Sequence, residues 1–134
     1  MITGVGHIAY TVKDLDATLD FYCNKLGFQK MFSLKNDDGE IWIQYIKVAH
    51  GQFIEFFPET AGGKWYDDMN YRHIALHTDN IHEDVERLRS LGVKINVEVT
   101  EGLDGSFQAW VNDPDGNPIE LMQLTEKSLQ NGND

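Results

Sequence analysis

The chain repeats itself, and that repeat limits its folds more than any other feature. His7-Ile8-Ala9 returns 66 residues later as His73-Ile74-Ala75, and Phe53-Ile54-Glu55-Phe56 is echoed by Pro118-Ile119-Glu120-Leu121. The His-to-Glu interval is 48 residues in the first copy and 47 in the second. Two copies in nearly the same register imply that whatever supersecondary unit one half forms, the other forms too. With 134 residues in all, the repeat fills one compact domain or two very small ones.

Each half reads as one strand, one helix and three strands, an α+β pattern. Leu15, Leu19, Tyr22 and Leu26 recur at helical spacing and predict one apolar helix face, stopped at Gly27. In the second half Asn80 and Glu83 form a capping-box-like start, Ile81, Val85, Leu88 and Leu91 form the stripe, and Gly92 closes the helix. Strands are expected over residues 4–12, 28–34, 41–48, 52–58, 71–78, 93–99, 106–112 and 118–124. Asp113-Pro114-Asp115-Gly116-Asn117 combines a preset proline φ with a glycine able to take positive φ, which predicts a turn leading to Glu120. The expected organisation is a single domain over 1–124, with module one at 1–58, a linker at 59–70 and module two at 71–124. The polar stretch 125–134 has little apolar surface to offset ordering and is expected to fray.

Strand parity sorts the side chains. His7 falls with Ala9 and Thr11, His73 with Ala75 and His77, Glu55 with Phe53 and Phe57, and Glu120 with Pro118 and Met122. The greasier opposite faces, with Ile54, Phe56, Ile119 and Leu121, are expected to pack against the helices. A carboxylate between apolar neighbours in a strand is costly unless it is paired, protonated or metal-bound. Any one of these residues alone reads more readily as a hydrogen-bonded sheet histidine or an edge glutamate. Their recurrence at matching positions favours a shared role, and two imidazoles with two carboxylates suit Ni²⁺, Co²⁺, Mn²⁺, Fe²⁺ or Zn²⁺ with open positions for substrate or water.

Composition narrows the function. A formal charge of −11 repels phosphate backbones and anionic membranes, so nucleic acid and membrane partners are not expected. Hydrophobic residues at 41% are enough to build a core. Cys23 stands alone and cannot form an intramolecular disulfide, which suits a reducing compartment and predicts a cytoplasmic protein. No bilayer-spanning apolar run or targeting peptide is evident. His50 and His82 are expected to be exposed, and Cys23 to be a buried thiol rather than a nucleophile.

His7-Ile8-Ala9, Asp14-Leu15-Asp16, Phe21-Tyr22, Leu26-Gly27-Phe28, Ile54-Glu55, His73-Ile74-Ala75 and Asp113-Pro114-Asp115-Gly116 leading to Ile119-Glu120-Leu121 resemble glyoxalase I-like (lactoylglutathione lyase-like) members of the vicinal oxygen chelate superfamily. The resemblance spans nearly the whole chain. It implies the glyoxalase/bleomycin resistance/dioxygenase fold, two paired βαβββ modules forming a cupped, mostly antiparallel sheet, and a homodimer. It also implies one divalent metal per site on His7, Glu55, His73 and Glu120, with Ni²⁺ or Co²⁺ favoured over Zn²⁺, Mn²⁺ or Fe²⁺, whether the four come from one chain or are shared between two.

The implied reaction turns the hemithioacetal of a 2-oxoaldehyde such as methylglyoxal into a 2-hydroxyacyl thioester through an enediolate. Glu120 is the first candidate for the base, with Glu55 opposite it. Glutathione-dependent members carry a basic residue four positions after the first His and an Asn four positions after the first Glu. Thr11 and Glu59 stand there in this chain, so both glutathione anchors are absent, and another thiol, a coenzyme A thioester or a phosphate-free oxo compound could use the same metal chemistry. The alternatives are another metal-dependent member, an epimerase or Fe²⁺ dioxygenase, or a non-catalytic small-molecule-binding resistance protein.

Overall fold

The computed structural model describes Met1, residues 5–62, Trp65 and residues 71–131. The chain divides into two compact units, Met1–Met69 and Asn70–Asp134. The first holds β1 (His7–Val12), α1 (Leu15–Leu19), a π-helical stretch (Asp20–Lys25), β2 (Gln29–Lys35), β3 (Ile41–Ala49) and β4 (Gln52–Pro58). Its sheet order is β1-β4-β3-β2, with β1 parallel to β4 and the other neighbours antiparallel. The second repeats this with β5 (Ile74–His77), α2 (Ile81–Ser90), β6 (Val97–Glu101), β7 (Phe107–Asn112) and β8 (Pro118–Gln123), in the order β5-β8-β7-β6. Of the expected linker 59–70, a 3-10 turn covers Glu59–Ala61, and residues 63, 64 and 66–70 lie outside the described residues.

Each sheet buries one face, as the alternation requires. Ile46, Ile54 and Phe56 are sealed in the first unit, and the Tyr22 ring meets Phe56 at 5.0 Å, which fixes the helical segment on β4. In the second unit Ile119, Leu121, Ala109 and Val111 pack with Ile81, Val85 and Leu88 of α2. Burying a side chain of this size stabilises by about 1.5–3 kcal/mol. Asn80 caps α2 as expected, with Oδ1 accepting from the Glu83 N–H at 3.2 Å and Nδ2 donating to the Glu83 carboxylate at 2.9 Å.

Four details depart from the sequence expectations. In the first helical segment the buried side chains are Thr18, Phe21 and Tyr22, whereas Leu15, Leu19 and Leu26 are half-buried. After Leu19 the backbone winds with i→i+5 bonds, Leu26 N–H donating to the Phe21 carbonyl at 2.9 Å, and this shifts the phase of the stripe. Leu91 is 44% exposed because α2 has already ended at Ser90, and Val93 takes its place in the core. The strand expected over 93–99 starts only at Val97, because the Val93 N–H closes the end of α2 on the Leu88 carbonyl.

The polar stretch expected to fray from residue 125 carries hydrogen bonds as far as Asn131. Ser128 is buried at 3% exposure and bonded to Ser106 at 2.8 Å, while Thr125 Oγ1 donates to the Gly105 carbonyl at 2.6 Å. Leu129 N–H reaches the Asp104 carbonyl at 2.8 Å. Polar side chains hold this stretch by hydrogen bonding where apolar burial is unavailable. Residues 132–134 lie outside the described residues.

Candidate metal centre

In the first unit the parallel β1–β4 ladder sets His7 beside Phe53, Ala9 beside Glu55 and Thr11 beside Phe57. Glu55 thus shares a face with His7, while its neighbours Ile54 and Phe56 turn into the core. The residue alongside Glu55 is only a methyl group, which leaves room for the imidazole two positions earlier. His7 Nε2 lies 3.1 Å from Glu55 Oε2. The second unit builds the same contact: Ala75 stands beside Glu120, and His73, just ahead of β5, places Nε2 3.3 Å from Glu120 Oε2. The recurring His-Ile-Ala therefore has a physical reason, with one residue as donor, one for the core, and one small enough to seat the carboxylate.

The donor set suits a divalent ion. Nitrogen and oxygen ligands bound at about 2.1 Å on adjacent corners of an octahedron stand about 3 Å apart. The observed separations of 3.1 and 3.3 Å match that spacing. The four residues selected from sequence thus stand as two pairs, one in each unit. Among the described residues, no three His, Cys, Asp or Glu side chains gather into one cluster.

The pairs have different surroundings. In the first unit, Tyr45 of β3 stands directly across from Glu55. Hydrogen bonding toward the Glu55 carboxylate, then burial, then that carboxylate's charge push the Tyr45 phenol above its ordinary pKa. Phe32 stacks on the Tyr45 ring at 4.4 Å. In the second unit, Trp110 of β7 stands across from Glu120, its ring edge-on to His73 at 4.8 Å and its indole N–H donated to Gln108 Oε1 at 3.1 Å. Sequence reasoning missed Tyr45. A signal was present: Tyr45 and Trp110 each precede their glutamate by ten residues.

Other candidates fall into place around these pairs. His77 is exposed, registers with Met122, and borders an open cavity of about 550 Å³ with Thr78, Asp79, Gln123 and Leu124. His50 and His82 are exposed as expected. Cys23 is half-buried, and burial raises its thiol pKa against the opposing effect of Lys30, which disfavours a nucleophilic role. Trp42 is 45% exposed and meets Phe57 edge-on. Among the described residues no helix is long and apolar enough to cross a membrane.

Comparison with known proteins places the chain in a family. Residues 4–121 match the Glyoxalase/Bleomycin resistance protein/Dioxygenase superfamily. The chain is 32% identical to the lactoylglutathione lyase of Salmonella typhimurium, over 95% of this chain and 97% of that protein. It is 30% identical to a probable lactoylglutathione lyase of Synechocystis, over 90% of this chain and 95% of that one. Among solved structures, an antibiotic binding protein from Streptomyces sp. CB03234 superimposes with a TM-score of 0.74 at 26% identity, covering 92% of this chain and 98% of that one. The sequence match, the duplicated βαβββ topology and the structural likeness lead to one conclusion: the chain belongs to the Glyoxalase/Bleomycin resistance protein/Dioxygenase superfamily.

Proposed function

We propose that the protein is a divalent-metal-dependent isomerase of the glyoxalase I type, acting as a homodimer in the cytoplasm. It rearranges the hemithioacetal of a small 2-oxoaldehyde into a 2-hydroxyacyl thioester. The observation that carries this reading is the duplicated His–Glu pair, at 3.1 Å in one unit and 3.3 Å in the other. The names of the lactoylglutathione lyase relatives support it. His7, Glu55, His73 and Glu120 would hold the ion, with Ni²⁺ or Co²⁺ favoured. When bound, the ion supplies the Lewis acidity that stabilises negative charge developing on the substrate oxygens.

The chain's own groups move the proton. Glu120 takes it from the carbon bearing sulfur and returns it to the neighbouring carbonyl carbon, so the product is an isomer with no net redox change. Glu55 stays with His7 as a ligand pair. Thr11 and Glu59 give no cationic grip for glutathione, so the reading favours an adduct with a different thiol.

Reconstitution of metal-free protein with Ni²⁺, Co²⁺, Zn²⁺, Mn²⁺ and Fe²⁺, followed by assay with methylglyoxal and a panel of thiols, tests the proposal. Thioester formation with Ni²⁺ or Co²⁺ is the expected result, and no turnover with any ion would refute it. The likeness to the Streptomyces antibiotic binding protein favours one second reading, a non-catalytic binder. Drug binding by protein that takes up no metal would establish that alternative.

A further inference from the structure

The face of the first sheet that carries Glu55 also carries a cation. Lys47 of β3 registers with Gln29 of β2 on one side and Phe53 of β4 on the other, and Phe53 registers in turn with His7 of β1. Gln29, Lys47, Phe53 and His7 therefore form one rung across the four strands, and Glu55 stands on the next rung of the same face. Strand spacing and rise put Lys47 about 8 Å from Glu55, one strand over and one rung along. Lys47 is half-buried, yet among the described residues neither its ammonium nor the Gln29 amide has a hydrogen-bonding or ion-pair partner. Glu55 is turned to His7 instead, at 3.1 Å. A partly buried ammonium gives up hydration that only an acceptor restores. The second unit has no such cation at the matching position. Lys47 and Asn112 each precede their glutamate by eight residues, and Asn112 registers with Pro118 as Lys47 does with Phe53. The repeat thus sets a neutral amide in one half where the other half has a charge.

We propose that Lys47, with Gln29 beside it, is a carboxylate anchor, holding the anionic end of the thiol from which the substrate adduct forms while the reacting carbons lie near the His7–Glu55 pair. This inference rests on the isomerase reading above and deepens it by naming the thiol class: a short thiol whose carboxylate lies a few bonds from sulfur, a span comparable to the rung spacing of about 7 Å. The ammonium and the amide N–H donate to the two carboxylate oxygens. A grip on a group remote from the reacting carbons acts alike on ground state and transition state, so its loss raises KM and spares kcat.

The test compares methylglyoxal adducts of 3-mercaptopropanoate and of 3-mercapto-1-propanol, a neutral thiol of the same length, on Co²⁺-reconstituted protein. Lys47→Met removes the charge and keeps an unbranched stem beside Phe53. For the charged adduct kcat/KM should fall about tenfold to a hundredfold through KM, while the neutral adduct changes less than about twofold. Calorimetric titration with 3-(methylthio)propanoate, which needs no turnover, should show the same loss of affinity. Equal kcat/KM for the two adducts in wild type, a titration that shows no binding, or one that Lys47→Met leaves unchanged would overturn the Lys47 assignment. No turnover with any thiol or ion, beside a titration that Lys47→Met weakens, would overturn the isomerase reading and leave the carboxylate anchor standing.

Discussion

The His–Glu pair on β1 and β4 and its counterpart beside β5 and β8 share residue types, spacing and strand register, yet shelter their members differently. In the first, the Glu55 side chain is 9% exposed and His7 51%; in the second, Glu120 is 16% and His73 38%. One copy recesses its carboxylate beneath a phenol and leaves the imidazole open. The other divides exposure more evenly and sets an indole against the imidazole. Duplication thus preserves a histidine and a glutamate about 3 Å apart and lets the residue across the ladder diverge.

The sharpest way to break the comparison is to neutralise each carboxylate in turn. Glu120→Gln should retain Co²⁺ uptake but lose about 10²–10⁴-fold in kcat at saturating metal, the usual contribution of a general base. Glu55→Gln should show its main loss in metal affinity. Single-turnover rates beside calorimetric titrations measure both, and full activity in Glu120→Gln would reverse the roles.

Next in size is the turn that delivers β8. Asp113 is 7% exposed, and its carboxylate accepts from the Asp115 N–H at 2.9 Å, the Asn117 N–H at 2.9 Å and Asn117 Nδ2 at 2.8 Å. Asp113→Ala should cost about 2–4 kcal/mol of stability in urea unfolding, since it strands donors that were bonded to a charged group. The corresponding connection in the first unit is the short His50-Gly51 turn, where Gly51 has φ 72°. His50→Ala is expected to change stability by less than about 0.5 kcal/mol. Equal losses would show that the two turns hold their glutamate strands alike.

A smaller effect is expected at the methyl groups beside the carboxylates. Ala9→Leu and Ala75→Leu should each weaken Co²⁺ binding on the order of tenfold by crowding the imidazole away from its partner, while leaving the thermal midpoint close to wild type. Unchanged affinity would mean that the small residue in the repeated tripeptide is incidental. Smallest is Asn80→Ala, which removes the α2 cap and should cost about 1 kcal/mol in chemical denaturation without altering the metal spectrum.

Much of this site was legible because its determinants are periodic. The repeat exposed His7, Glu55, His73 and Glu120, alternation placed each glutamate opposite core residues such as Ile54 and Ile119, and the Asn80–Glu83 box announced a helix start. Less was legible where partners are distant in sequence or where backbone winding departs from the ordinary period. The π-helical stretch rotated Phe21 into the core at the expense of Leu19 and Leu26. Residues 125–131 are ordered by Ser106 and Gly105 on another loop, which no local composition signals.

The amino-acid order by itself determined the doubled strand–helix–strand plan and the pairing of a histidine with a glutamate in each half, because two-residue and near-four-residue periods and a tandem echo are properties of one dimension. Only the tertiary structure decided that Tyr45 faces Glu55 while Trp110 faces Glu120. That choice depends on cross-strand register between β3 and β4 and between β7 and β8, where a slip of one residue would present the opposite face.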